Sequence, residues 1–195
     1  MPMFPLGTVL LPGGLLPLRL FEPRYLEMLQ DVLQSDEPEI GFVLIERGHE
    51  AGGGDVRFST ATVGRIVQAE PRASEVGMVV VGGRRVEVEG WLPEDPYPRA
   101  RVRDLPDLVP DVDRADVAAL HEKAVTTSLR LGFMPPEPPP HGLLASCWHL
   151  ADACPLGPYD RLALLRSTRA RQLLAAVDDA YDQAVQMHEA FGPGS

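Results

Sequence analysis

The chain has 195 residues, 45% of them hydrophobic, which is enough for one large domain or two modest ones around a proper core. Its 18 basic and 28 acidic residues give a net charge of −10, which opposes general attraction to nucleic acid or anionic lipid. No window supplies the roughly twenty apolar residues of a transmembrane helix, and the first charge, Arg19, follows the apolar opening run, unlike in a secretory signal. We therefore expect a cytoplasmic protein with no membrane partner.

Prolines interrupt the apolar opening run, which extends from Phe4 to Tyr25. They stand at positions 2, 5, 12, 17 and 23, just before the run and within it. Because proline has no amide hydrogen to donate, it occurs in sheets only at edges, strand ends and bulges. The run therefore predicts short, irregular strands at the border of a small sheet.

The first clear helix is predicted from Pro23 to Gln34. Proline is pre-organised for a first helical position, and the segment from Ser35 to Pro38 ends the helix. The apolar residues at helical spacing are Tyr25, Leu26, Met28, Leu29, Val32 and Leu33. Such a stripe is typical of an amphipathic helix.

The rest of the first half favours strands. Three consecutive glycines mark Gly48 to Asp55 as a loop, and Gly82-Gly83 has the composition of a two-residue hairpin turn. The predicted strands are Ile40–Ile45, Ser59–Glu70, Gly77–Gly82, Arg84–Gly90 and Arg99–Val102. Five to seven short strands with one inserted helix predict a closed or nearly closed antiparallel barrel.

The character of the sequence changes near residue 110, where helical periodicity replaces the β-rich runs. Asp113 is expected to cap the first helix of this half, and five prolines in 134–140 predict a rigid, extended connector. Further helices are predicted at 141–153, 159–166 and 168–188, before a frayed tail at 191–195. The face predicted for the last helix consists of Leu173, Val177, Ala180, Tyr181, Ala184 and His188. We divide the chain into a barrel domain, 1–110, and a helical domain, 111–195.

Short motifs spread along the chain carry a resemblance to a known family. They are Phe4-Pro5-Leu6-Gly7, Leu11-Pro12-Gly13, Leu16-Pro17-Leu18, Phe21-Glu22-Pro23-Arg24-Tyr25, Val63-Gly64 with Ile66, Tyr97-Pro98 with Ala100, Leu150-Ala151-Asp152, Pro155-Leu156 and Leu164-Leu165. Together they resemble the substrate-binding, amino-terminal domain of the Lon protease family. The resemblance extends from residue 3 to about residue 177, and its most specific part is the opening run with its spaced prolines.

The resemblance implies an α+β fold, in which a PUA-like antiparallel β pseudo-barrel with one inserted helix is followed by a C-terminal α-helical bundle. It also implies a bacterial module that recognises substrate or partner proteins, which in full Lon enzymes precedes an AAA+ ATPase and a Ser–Lys protease. This sequence has no Gly-x-x-x-x-Gly-Lys-Ser/Thr loop, and its single lysine, Lys123, lies in the helical half. We therefore expect a stand-alone recognition module that is not an enzyme and needs no cofactor.

The partners implied by this resemblance are unfolded or extended polypeptide segments. An apolar groove between barrel and helices, or an exposed sheet edge, would hold them, because an unpaired edge accepts a guest strand. Delivery of the segments to a separate protease is a further hypothesis. The sequence leaves open whether the chain forms a homodimer.

The sharpest local signature supplies the predicted substrate-binding residues Phe21, Glu22, Arg24 and Tyr25. In a functional interpretation, they form a rim that contacts polypeptide. In a structural interpretation, Pro23 starts the helix, Glu22 complements its positive end and Tyr25 packs on the barrel. We favour the structural interpretation.

An RNA-binding PUA-like module is the alternative function. The arginines that would form its surface are Arg84, Arg85, Arg99, Arg101 and Arg103. However, Glu87 and Glu89 are placed to neutralise them across the sheet, and there is no aromatic cluster for base stacking. The acidic composition also makes nucleic acid the less favoured partner.

Catalysis and metal binding have weaker support. Cys147 and Cys154 are two helical turns apart without a paired Cys-x-x-Cys, so we expect buried thiols rather than a metal site. The histidines lie in no nucleophile or metal motif: His49, His121, His141, His149 and His188. The Glu46–Asp55 loop is too glycine-rich to preorganise a site. We predict no catalytic residue and no metal, with a cryptic hydrolase as the third hypothesis.

Overall fold

A computed structural model of the chain describes residues 1–36, 38–47 and 56–191. The chain divides into two compact units, residues 1–107 and 108–195, and the boundary predicted after residue 110 lies three residues beyond this division. The predicted loop at 48–55 and residues 192–195 of the predicted tail lie outside the described residues.

The first unit consists of a β-sheet and one helix. In chain order they are β1 (Met3–Leu6), β2 (Leu15–Leu20), α1 (Pro23–Leu33), β3 (Glu39–Arg47), β4 (Val56–Pro71), β5 (Val76–Trp91) and β6 (Ala100–Asp104). The predicted helix is confirmed, and each predicted strand region lies in a strand except Arg99, which directly precedes β6. The prediction of short strands is wrong for β4 and β5, which have 16 residues each.

The strands form one sheet in the order β1-β3-β4-β5-β2, and β6 pairs with β5 beside that path. The Met3 N–H donates to the Pro98 carbonyl over 2.9 Å, and the Ala100 N–H donates to the Met1 carbonyl over 3.0 Å, so β1 returns to the start of β6. These bonds confirm the nearly closed barrel. One pair is not antiparallel as predicted: β1 and β3 are parallel, because β2 and α1 between them supply the crossover that a parallel pair needs.

The predicted hairpin turn at Gly82-Gly83 is wrong. Both glycines lie inside β5, and neither has the positive φ that such a turn requires. The Gly13 N–H instead donates to the Gly82 carbonyl over 2.8 Å, and the Gly82 N–H donates to the Gly14 carbonyl over 2.9 Å. A Cβ at Gly82 would lie 2.1 Å from the Leu11 carbonyl oxygen, so a glycine permits this close approach of two backbones.

Helix α1 covers the core of the barrel. It begins at Pro23, as predicted, and its buried residues are Tyr25, Met28, Leu29 and Val32. The centroid of the Tyr25 ring lies 4.3 Å from that of the Phe4 ring on β1. Leu33, which was predicted on the same stripe, is 52% exposed, because it points about 100° around the helix from the buried Val32.

The second unit is a helical bundle. Its helices are α2 (Arg114–Leu131), α3 (Leu143–Ala153), α4 (Pro158–Leu165) and α5 (Ala170–Phe191). The Asp113 carboxylate accepts hydrogen bonds from the Ala115 and Asp116 N–H groups, which confirms it as the cap of α2. Gly132 ends this helix at a φ of 75°. The predicted proline-rich connector, 134–140, contains no helix or strand.

The face predicted for α5 is right only in its first half. Leu173, Val177 and Tyr181 are fully buried, but His188 is exposed. The last turns of this helix face solvent, where Glu189 pairs with Arg130 of α2 and both side chains are more than half exposed. The apolar face therefore ends before His188.

Candidate functional site

The structure divides the four predicted substrate-binding residues between surface and core. Phe21 is 61% exposed between β2 and α1, and Glu22 and Arg24 are half-buried at the start of α1. Tyr25 is 3% exposed with its ring against Phe4, so it packs in the core. Tyr25 thus packs as the structural interpretation expects, whereas the Phe21 side chain is exposed to solvent.

Arg24 is the centre of an ion-pair network at the start of α1. Its Nε lies 3.2 Å from Glu22 Oε2, and its Nη1 donates to Glu94 Oε1 over 2.7 Å. The second carboxylate oxygen of Glu94 accepts from Arg57 Nη2 over 3.2 Å, and the Arg57 guanidinium lies 4.5 Å above the Trp91 ring. The network joins α1 to the ends of β4 and β5. Sequence reasoning missed its distant members because no local pattern links them to Arg24.

The segment from 92 to 99 is held against α1 at a second point. The Tyr97 hydroxyl donates to Asp31 Oδ2 over 2.7 Å. Burial, and the hydrogen bond to the Asp31 carboxylate, raise the pKa of Tyr97 to about 12. Together with the Arg24–Glu94 pair, this bond fixes the segment near both ends of the helix.

Strand β2 has a free edge. It pairs with β5 on one side, and among the described residues no strand pairs with its other side. Because Gly82 bonds to Gly14, the hydrogen-bonded pairs that follow along this antiparallel ladder are those of Leu16 and Leu18. The backbone groups of the intervening residues, Pro17 among them, therefore point away from β5. Proline is tolerated there because no N–H is needed.

The same alternation divides the side chains of β2. Leu16 and Leu18 pack against the core, and Leu20 is buried in it, whereas Leu15 is 66% exposed. We call the exposed side of the strand, with the residue that follows it, the β2 edge; it consists of Leu15, Pro17, Arg19 and Phe21. The prolines predicted strands at the border of the sheet, and this is confirmed, but nothing in the sequence identified Leu15 as a surface residue.

The arginines proposed for RNA binding are largely engaged within the protein. Arg84 pairs with Glu39 over 2.7 Å and with Asp104 over 3.1 Å, and Arg103 lies 3.4 Å from Glu89. The Arg85 side chain is buried and donates to the Pro106 carbonyl over 2.5 Å, and burial lowers the pKa of its guanidinium. The arrangement lends no support to the RNA-binding alternative.

Both cysteines are buried, as predicted from their spacing. Burial raises the pKa of Cys147 to about 11 and that of Cys154 to about 12, which keeps both thiols protonated at neutral pH. Within the described ranges, no three His, Cys, Asp or Glu side chains converge as metal ligands. In the same ranges, none of the helices combines the length and the apolarity needed to cross a bilayer.

A free strand edge beside exposed apolar side chains is a feature that lets a domain accept an extended chain as an added strand. The family model for the ATP-dependent protease La (LON) substrate-binding domain matches residues 1–184, and the chain belongs to this family. The resemblance seen in the sequence is thereby confirmed.

Curated relatives are bacterial Lon proteases. The Lon protease of Cytophaga hutchinsonii is 26% identical over 150 residues, which cover 74% of this chain and 18% of that protein. Lon protease 2 of Sorangium cellulosum is 30% identical over 139 residues, which cover 69% of this chain and 17% of that protein. The chain thus spans less than a fifth of the length of these relatives.

Solved structures share the fold. A Lon N-terminal domain protein from Xanthomonas campestris superimposes with a TM-score of 0.70 at 26% identity, covering 92% of this chain and 96% of that one. The N terminal domain of a Mycobacterium avium complex Lon protease gives a TM-score of 0.67 at 16% identity, covering 93% and 97%. The second likeness is one of fold alone.

Proposed function

We propose that this chain is a non-catalytic module that binds extended or unfolded polypeptide segments by adding them as a strand to the β2 edge. The observation that carries the proposal is the outward-facing backbone of Leu15, Pro17 and Arg19 beside the exposed Leu15 and Phe21 side chains. A guest strand gains main-chain hydrogen bonds there, and its side chains gain apolar contact. Membership of a substrate-binding family supports this role.

Of the four predicted residues, Phe21 is the one we assign to contact with the guest, because it is exposed and directly follows β2. Glu22 and Arg24 have a positioning role in this proposal, since their ion pairs hold the start of α1 next to Phe21. Arg24→Gln should weaken binding less than Phe21→Ser does, with folding intact by circular dichroism. Equal losses would assign Arg24 to direct contact.

A backbone-methylated peptide series tests strand addition. The probe is a fluorescent nine-residue peptide with leucine or valine at alternate positions. In a bound strand, the N–H groups of alternate residues point to opposite sides. N-methylation of one alternate set should abolish binding, and methylation of the other should preserve it. Equal effects of the two sets would overturn strand addition.

Matched variants locate the site. Leu15→Asp should weaken binding of the unmodified peptide about tenfold, because a leucine contact is replaced by a solvated carboxylate. Met187→Asp on α5 is the control, since Met187 is 64% exposed and Leu15 66%. A similar loss in both variants would show that binding does not use the β2 edge.

We further propose that bound segments reach a Lon-type protease, whether it is joined to this chain or separate from it. The support is the matching of this chain to the substrate-binding part of proteins named Lon protease. Added to a Lon-type protease, the wild-type chain should change the degradation rate of an unfolded protein, and Leu15→Asp should not. If the wild-type chain leaves the degradation rate unchanged, this second half of the proposal is wrong.

A further inference from the structure

The outward side chains of β2, β5 and β4 form one face next to the β2 edge. The register across these strands gives three rows: Leu15, Val81 and Arg65; Pro17, Val79 and Gln68; Arg19, Gly77 and Glu70. The row of Leu15 and Val81 is apolar next to the edge, whereas the row of Arg19 is charged. A depression of about 460 Å³ lies over the second and third rows.

Gly77 creates room at the charged end of this face. It stands between Arg19 and Glu70 and has no side chain to fill the space. The Arg72 guanidinium lies over it, with Nε 3.7 Å from the position that a Cβ would take. Two arginines therefore border the depression next to the free edge.

These arginines are incompletely neutralised. The Glu70 carboxylate accepts a hydrogen bond from the Gln68 amide over 2.6 Å, and the nearest ion-pair distance of Arg72 is 3.7 Å, to Glu75. Arg19 is exposed and has no ion pair within the described parts of the chain. Glu70 and Glu75 balance the charge of the two arginines, but Arg19 itself is an exposed cation with which an added carboxylate can pair.

We infer that the segments bound at the β2 edge combine an apolar residue with a carboxylate four residues away. The inference rests on the proposed function. A guest strand beside β2 repeats its side-chain direction every second residue, so an apolar side chain next to Leu15 puts the fourth residue along next to Arg19, about 13 Å away. An aspartate or glutamate there faces Arg19, and Arg72 lies beyond Arg19, over Gly77 of β5. The spacing holds for parallel and antiparallel guests alike.

Peptides that differ at one position test the inference. The probes are fluorescent nine-residue peptides with a leucine anchor and, four residues on, aspartate, glutamine or lysine; a fourth places the aspartate three residues on. The aspartate peptide should bind about threefold tighter than the glutamine one, as an exposed ion pair allows, and its advantage should shrink with salt. At the third position, the advantage should vanish because the side chain changes face.

Charge reversal on the protein completes the test. Arg19→Glu should reverse the order of the aspartate and lysine peptides, and Arg114→Glu, with the same change of net charge on α2, should leave the order unchanged. Equal affinities of the aspartate, glutamine and lysine peptides for the wild type would overturn the acidic preference and leave the proposed function standing. Failure of all four peptides to bind would refute the proposed function itself.

A titration with an oligonucleotide distinguishes a carboxylate ligand from a phosphate ligand. A fluorescent oligo-uridine of ten nucleotides is titrated under the same conditions, because phosphates would also satisfy Arg19 and Arg72. We expect the oligonucleotide to show no binding that depends on Arg19, so the Arg19→Glu variant should give the same titration as the wild type. Tight binding of the oligonucleotide that depends on Arg19 would overturn the inference in favour of a nucleic-acid ligand.

Discussion

Gly82 illustrates how a single missing side chain shapes this barrel. The residue lies in the middle of a strand, where glycine is ordinarily unfavourable. The nearest atoms to a Cβ at this position belong to the backbone carbonyl group of Leu11. Unlike a flexible side chain, this group cannot move aside by changing its rotamer. The turn that contains Gly13 is thereby brought against β5, and β2 starts in register.

Gly82→Ala should lower the free energy of unfolding by about 3 kcal/mol, because the added methyl group forces two backbones apart. Urea unfolding followed by circular dichroism measures the change. Gly157→Ala is the matched control, since the closest atom to its new Cβ is 3.7 Å away, an ordinary contact. A loss below about 1 kcal/mol at Gly82 would show that the opening segment yields easily.

At the scale of elements, α1 organises the candidate site. The helix faces the barrel core with one side, and at its two ends it holds the segment from 92 to 99 through Arg24 and Asp31. The first of these contacts is an exposed ion pair of small expected value, whereas the second is a charge-assisted hydrogen bond from Tyr97, a 5% exposed residue, to the Asp31 carboxylate. The Tyr97–Asp31 bond should therefore be the stronger attachment.

Tyr97→Phe should cost about 1 kcal/mol at pH 7 through loss of this hydrogen bond. The folded pKa of Tyr97, about 12, lies above the ordinary value of 10, so its stabilisation is complete below pH 10 and is lost as the pH rises from 10 to 12. The wild type should therefore lose its advantage over the variant in this range, as measured by urea unfolding. A constant difference from pH 7 to 12 would contradict the assignment. Tyr159→Phe, at a 61% exposed position, controls for the number of tyrosines.

Helix α2 depends on its first turn. The Asp113 carboxylate accepts two backbone N–H bonds, and the Asp116 side chain accepts from the Asp113 N–H in return. Asp113→Ala should lower the free energy of unfolding by about 1 kcal/mol. Glu122→Ala, at an exposed position of the same helix, should have a smaller effect; equal effects would mean that the cap contributes nothing of its own.

Local chemistry made part of the fold predictable. Pro23, Asp113 and the prolines of 134–140 act within a few residues of themselves, so the start of α1, the cap of α2 and the irregular connector could be predicted. The continuity of β5 could not, because Gly82-Gly83 has the composition of a turn and only the approach of Leu11 explains it. Phe21, which we propose as a contact residue, stands in a local motif visible in the sequence, whereas the placing of Leu15 and Glu94 depends on pairing with residues distant in sequence.

For the molecule as a whole, we expect Pro17 to limit association between copies. It stands at the free side of β2 and removes one donor from an edge that could otherwise pair with another chain. Pro17→Val should therefore tighten binding of the alternating-leucine peptide and promote self-association, measured by sedimentation velocity at increasing concentration. Pro155→Val, at an exposed loop position, is the control. Unchanged peptide affinity and sedimentation would argue against β2 as a pairing edge.

The bonds that bring β1 to β6 also impose an order in time. They join Met3 to Pro98, about 95 residues apart, and such distant contacts are made late because their loop entropy must be overcome first. During synthesis, the first strand has no partner at this seam until the segment before β6 has left the ribosome. Until then, β1 can pair only with β3, and its other edge is an unpaired apolar strand of the kind that the finished domain is proposed to bind in other proteins.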